Sequence, residues 1–547
     1  MTSTLITNGR IIDGSGNAWF YGDLLITGDK IAQIEAPGTI DRSSADVVID
    51  ASDHVVSPGF IDIQSHSIIP FLVDGRSLSK VTQGVTTEVM GEAWTPAPYG
   101  GRIDMPFREN VRGRIGDAAY EEWDALGRSW SRFGDWLNEF ERRGVSVNFG
   151  SFVGGGTVRQ WGMGLEAGDA SDDAIQSMKK MVAESMEDGA FGVATALIYP
   201  PDVYTNTEEL IEIMKVVAAY NGIHITHMRS EGDEIESGFA EMLRIAEETG
   251  VSSEIYHLKA IGTKNWPKMQ TIIDGVNAAR ARGIDITADM YPYEGAGTGL
   301  ASCLPPWCLA DGKRLENLQN PEIRARIKDD MVNQKEPWEN WGLMIGPENI
   351  LLAQPEHPDI RKYLGWFVSD VAADLSVDWP EAICYLLETN VHDIFTMYMA
   401  MSTDNLALQS KLPWITFSTD AGGVDPELVR EMGLLHPRAY GVYTRVLGRF
   451  VRENGWITLE DAVRKSSSAV ASRLGLRDRG LLRAGQFADV IIFDPETIID
   501  TATYTDPHHL STGVRDMWVN GERVLDNGTH TGALPGMQVR GPGYRAR

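Results

Sequence analysis

A chain of 547 residues is too long for one small core and long enough for a large barrel with a satellite domain. With 43% hydrophobic and 23% charged residues it reads as a folded soluble enzyme, and a formal net charge of −28 argues against nucleic acid or an anionic membrane as partner. Three cysteines, Cys303, Cys308 and Cys384, exclude a disulfide framework, and the C-x4-C spacing of the first two lacks the second pair that would complete a zinc site.

The N-terminal stretch MTSTLITNGRIIDGSG shows no charged segment followed by an apolar one, so no signal peptide is expected. No run of about 18 apolar residues suggests a membrane span, and the expected location is the cytoplasm. Residues 1–56 alternate short apolar segments with Asn-Gly and Gly-Asp turns, a strand-and-hairpin texture that returns in residues 479–547, where Asn520-Gly521 marks a tight turn. Both ends are therefore expected to build one small β-sandwich around a catalytic domain at 57–478.

The middle alternates strands with helices. Thr205-Asn-Thr-Glu208 reads as a capping box for a helix carrying Leu210, Met214 and Val217 on one face, after which IHITHM is a buried strand. A helix from about Glu236 to Gly250, the strand SSEIYHLKA, a helix around Met269 and Val276, and the strand IDITAD follow. Repeated units of this kind imply a parallel sheet, which the pattern alone leaves either open or closed into a barrel. Two stretches break the alternation, near 100–145 and 295–350. Loops so long serve as lids or specificity elements, or are surface embellishment.

Groups able to bind metal recur where strands end: Asp62, Gln64 and His66, then Glu92, His227, His257, Asp289 and Asp420. In parallel α/β folds the loops after the strands converge on one face, and neutral imidazoles with ionised carboxylates are what zinc or its relatives require. Any one such histidine could be a hydrogen-bonded core residue. Three at strand ends, among only 11 in the chain, make that reading poor for the set.

At these residues the chain resembles the amidohydrolase superfamily, in the N-acyl-D-amino-acid deacylase (D-aminoacylase) branch. The stretches that carry the likeness include SPGFIDIQSHS, QGVTTEVMGE, THMRSE, YHLKA, DMYPYEGAGTGL, FSTDAGG and LLHPRAYGVYTRVLGRFVRE, and it spans nearly the whole chain. The resemblance implies an α/β fold, a TIM (β/α)8 barrel with a β-sandwich formed by both termini. It also implies metal-dependent hydrolysis of N-acyl-D-amino acids, with a small N-acylated carboxylate as partner. It makes His66, His227 and His257 metal ligands, Asp420 both a ligand and the general base or acid, and Lys259, Tyr291 and Arg438 the grip on the substrate carboxylate.

Several positions depart from that pattern. The first histidine of the family's H-x-H is Gln64, the cysteine that bridges two metals is Ala93, and residues expected to be histidine and polar are Gly155 and Gly297. Glu92, one residue before Ala93, is positioned to supply a carboxylate instead. One tightly held zinc on His227, His257 and Glu92 is expected, and a second on His66 and Asp420 alone would be weak. An amidohydrolase acting on another amide, cyclic amide or lactone, and an inactive barrel that only binds, are the rival readings. The oligomeric state, a homo-oligomer included, stays open.

Overall fold

The computed structural model describes residues 3–108, 111–309, 312–335, 338–390 and 392–546. Eight parallel strands form its centre: Phe60–Asp62, Val85–Met90, Asn148–Ser151 continued after Phe152 by Val153–Gly154, Gly192–Ala196, Ile223–His227, Ser252–Ile255, Ile286–Met290 and Ile415–Phe417. Each pairs in parallel with the next. The ring closes where the Asp420 N–H donates to the Gln64 carbonyl (2.9 Å) and the His66 N–H to the Ala421 carbonyl (3.1 Å). The open-sheet alternative is thereby removed.

The strands are almost wholly buried, VTTEVM and IHITH at every residue, because helices cover the outside and side chains fill the inside. The intervening helices end where the glycines stop them, Gly250 taking a left-handed φ of 68° after Ile235–Thr249. The start of Thr207–Ala219 differs from the expected capping box. Asn206, not Thr205, is the N-cap, and its side chain accepts the Glu209 N–H, which Thr205 is one position too early to reach.

Both chain ends meet in one nine-stranded sheet. Ser3–Ile11 pairs with Phe20–Thr27 on one edge, and on the other with Val47–Asp50 and then Val55–Pro58, which continues into Val490–Phe493 and Val514–Val519. The split lets Ile6, Leu24, Val56, Ile492 and Trp518 share one apolar core. Asn520 and Gly521, at φ 49° and 77°, make the tight turn between Val514–Val519 and Glu522–Asp526, a backbone that Asn-Gly adopts readily.

The stretch near 100–145 is no surface ornament. Helices Asp117–Gly127 and Gly134–Arg143 bury Trp123, Trp136 and Phe140, and Phe140 meets Phe71 edge to face at 5.7 Å. Phe71 belongs to Ile68–Val73, the helix after the first barrel strand, so the insertion buttresses that helix. The stretch near 295–350 contributes Gly295–Gly299 and Ile350–Leu352, which flank Phe395–Met399 as an antiparallel sheet, and places Trp341 against Tyr398 at 4.8 Å. No helix among the described residues is long and apolar enough to cross a membrane.

Candidate active site

The expected site residues all arrive at one end of the barrel. His227 closes the fifth strand, and His66, Glu92, His257 and Asp420 lie two to four residues beyond the first, second, sixth and eighth. Ala93, His257 and Asp420 hold left-handed φ values of 57°, 34° and 48°. For residues with a Cβ this costs about 1–2 kcal/mol each, and such strain collects where the chain must turn out of a strand into a functional loop.

Glu92 stands between two groups. Its Oε1 is 3.6 Å from His227 Nδ1 and 3.7 Å from His257 Nε2, and its Oε2 is 3.4 Å from His66 Nε2. The first two separations are too long for hydrogen bonds. They match the edge of a ligand tetrahedron, since ligands about 2.0–2.2 Å from zinc lie about 3.3–3.6 Å apart. His66, Glu92 and Asp420 form a second cluster around the other carboxylate oxygen. The donor set thus fits a divalent ion, with Glu92 common to both clusters.

Two departures from the family pattern become intelligible together. Gln64 is buried and points its Nε2 at Glu92 Oε2, 2.6 Å away, so its amide orients the Glu92 carboxylate between the two clusters. At Gly155 a Cβ would meet Thr195 Cγ2 at 2.6 Å and Asp202 Oδ1 at 2.9 Å, so the space a histidine would need is filled. Asp202 is itself pushed up to about 8 by burial, which outweighs its bond from the Ala196 N–H.

Glu231, in the THMRSE stretch, was not singled out from the sequence, yet it stands behind both histidines. Its Oε1 lies 3.0 Å from His257 Nδ1 and its Oε2 lies 3.5 Å from His227 Nε2, on the ring nitrogens opposite to those facing Glu92. It acts on the two rings through its charge, since His227 Nε2 and Glu231 Oε2 make no hydrogen bond and His257 Nδ1 faces Lys259 Nζ at 2.7 Å. Burial disfavours its charge, but His227, Lys259 and His257 around it hold its carboxyl down to about 2. The signal available beforehand was its place four residues after His227.

Lys259 lines the cavity, and its Nζ is already engaged by Glu231 Oε1 (2.6 Å) and His257 Nδ1 (2.7 Å). Arg438 Nη1 pairs with Asp420 Oδ2 at 2.6 Å and its guanidinium lies 4.7 Å from the centre of the Tyr291 ring, whose buried hydroxyl has no hydrogen-bond partner. His66 Nε2 takes the other oxygen of Asp420 at 2.8 Å. Its place inside the cavity works against a charge, but the bonds to Asp420 and Glu92 prevail and push it up to about 9.

These groups border one cavity of about 510 Å³, within the range of small-molecule sites. Beside these polar groups, its lining includes the apolar Ile68, Val73, Leu428 and Met432 and the aromatic Trp94, Trp341 and Phe395.

A sequence model described as "Amidohydrolase family" matches residues 431–525. The chain is 29% identical to a D-aminoacylase of Alcaligenes xylosoxydans xylosoxydans over 97% of its own length and 96% of that protein's. It is also 29% identical to an N-acyl-D-glutamate deacylase of the same organism, over 95% and 93%. Its structure is similar to that of an N-acyl-D-glutamate deacylase from Bordetella bronchiseptica, solved with zinc and a phosphonate that mimics the tetrahedral intermediate of the reaction. That likeness has a TM-score of 0.78 and 26% identity, and covers 98% of this chain and 99% of the other.

Proposed function

We propose that this chain, a metal-dependent amidohydrolase homologous to the D-aminoacylases, removes the acyl group from N-acyl-D-amino acids, releasing a D-amino acid and a carboxylate. The observation that carries the reading is the meeting, in one cavity, of the Glu92–His227–His257 cluster with the Asp420–Arg438 pair. Hydrolysis needs the first, and recognition of a carboxylate beside the amide needs the second.

Glu92, His227 and His257 would hold the tighter zinc, and His66 with Asp420 would hold a weaker one on the far oxygen of Glu92. Bound zinc supplies Lewis acidity for the amide carbonyl and acidifies water. Asp420, through the Oδ2 that Arg438 gives up when it takes the substrate carboxylate, accepts the proton of the attacking water and then delivers it to the leaving nitrogen. Arg438, helped by the Tyr291 hydroxyl, takes the substrate carboxylate in a two-pronged hydrogen bond, and in doing so releases Asp420 Oδ2. Lys259 adds positive charge to the same base while its ammonium holds Glu231. The proposed partner is a small N-acylated carboxylate, and the proposed setting is the cytoplasm, where the unpaired Cys303, Cys308 and Cys384 would stay reduced.

The test is turnover by zinc-loaded protein of N-acetyl-D-amino acids, beside their L-forms and cyclic imides. Cleavage confined to the D-series is expected. Cleavage of the cyclic imides alone would move the chain to another amidohydrolase reaction.

A further inference from the structure

We propose that the substrate carries one carboxylate only and an apolar side chain, so that N-acyl-D-glutamate and N-acyl-D-aspartate are rejected. This rests on the deacylase reading above and decides a question that sequence identity leaves open, since the D-aminoacylase and the N-acyl-D-glutamate deacylase match this chain equally, at 29%.

The charges around the cavity come first. Apart from the histidines, the cationic side chains that line it among the described residues are Lys259 and Arg438. Lys259 is held by Glu231, His66 by Asp420 and Glu92, and Arg438 by Asp420. The Asp420–Arg438 pair can open to admit one carboxylate, since a bidentate guanidinium accepts one such group. A second substrate carboxylate would find no cation facing the cavity. Among the lining residues it would instead meet Asp74 and Asp425, whose partner Arg76 lies outside the lining and is engaged by both, at 2.9 and 2.7 Å.

The walls agree with the charges. Val73 and Leu428 line this cavity and are 52% and 53% exposed, which leaves apolar area for a ligand to cover. Beside the carboxylate grip, the family's polar position is Gly297. A Cβ there would meet Phe395 Cζ at 2.8 Å and lie 3.7 Å from Arg438 Nη2. The Phe395 ring therefore fills the space that a side chain at position 297 would need beside Arg438.

The experiment compares kcat/KM of zinc-loaded enzyme for the N-acetyl derivatives of D-methionine, D-leucine and D-phenylalanine with those of D-glutamate and D-aspartate. An unpaired carboxylate at an apolar wall should cost roughly 100-fold or more, so that ratio in favour of the apolar series is the expected result. In Leu428→Arg the ratio should fall at least about tenfold, through gain on D-glutamate; no change in the ratio would count against this wall as the side-chain site. Acidic substrates cleaved as well as the apolar ones would overturn the inference and leave the deacylase reading standing. Zinc-loaded enzyme that cleaves no N-acyl-D-amino acid would remove both.

Discussion

Arg438 and Asp420 face each other at the base of the cavity, Nη1 to Oδ2 at 2.6 Å, while His66 occupies the other oxygen of the same carboxylate. The proposed base is therefore held between two cations until a substrate carboxylate draws Arg438 away. Asp420→Asn should lower kcat by at least about 1,000-fold, because an amide cannot take the proton. Zinc content should stay near that of the parent protein, because the proposed tighter site on Glu92, His227 and His257 is untouched. Activity near the parent level in the Asn variant would remove Asp420 from the chemistry.

Arg438→Lys keeps the charge and loses the two-pronged grip. It should raise KM for N-acetyl-D-methionine about 10- to 100-fold, with a smaller change in kcat. Steady-state kinetics at saturating zinc separates the two quantities.

The two metal clusters share Glu92 but differ in what surrounds them. His227 and His257 are buried and backed by Glu231, whereas the His66 side chain is 44% exposed and its nitrogen is turned to Asp420. Elemental analysis after exhaustive dialysis should therefore find about one zinc per chain, since three protein ligands make a complete catalytic site. His257→Ala should lose that zinc, and His66→Ala should retain it.

Glu231→Gln preserves shape and removes the charge that holds Lys259 and lies behind both imidazoles. Changes to such supporting groups weaken metal affinity about 10- to 100-fold, which competition with a chelator would measure. Glu339 reaches the same loop from the 295–350 insertion, accepting the Glu231 and Gly232 N–H groups, each at 2.8 Å, and the Ser230 hydroxyl. Glu339→Ala should weaken metal affinity in the same direction by less, because it loosens the backbone beneath Glu231 and leaves its carboxylate in place.

Lys80 supports the barrel mouth from below. Fully buried, it reaches Asp62 Oδ2 at 2.5 Å, Thr419 Oγ1 at 2.6 Å and Glu88 Oε2 at 3.3 Å. Lys80→Met would leave two buried carboxylates without their cation, at a cost of about 3–5 kcal/mol. A lowered urea midpoint with unchanged slope is the expected reading.

The sequence by itself determined which chemistry the chain carries and where along it. Apolar runs ending in His227, His257 and Asp420, glycines stopping the helices, and the Asn520-Gly521 turn are local signals, since strand burial, helix termination and turn geometry depend on near neighbours. Only the tertiary structure decided which groups meet. Glu231 and His257 are 26 positions apart in sequence, and Gln64 and Glu92 are 28, yet each pair is in contact because the barrel closes and its loops turn inward. Gln64 reads as a lost ligand in sequence and acts as a donor to Glu92 in space. Lys259 reads as a free cation and proves to be held by Glu231. The reason is physical: a residue's type sets what it can bind, whereas strand register and strained loop backbones at Ala93, His257 and Asp420 set what stands within reach.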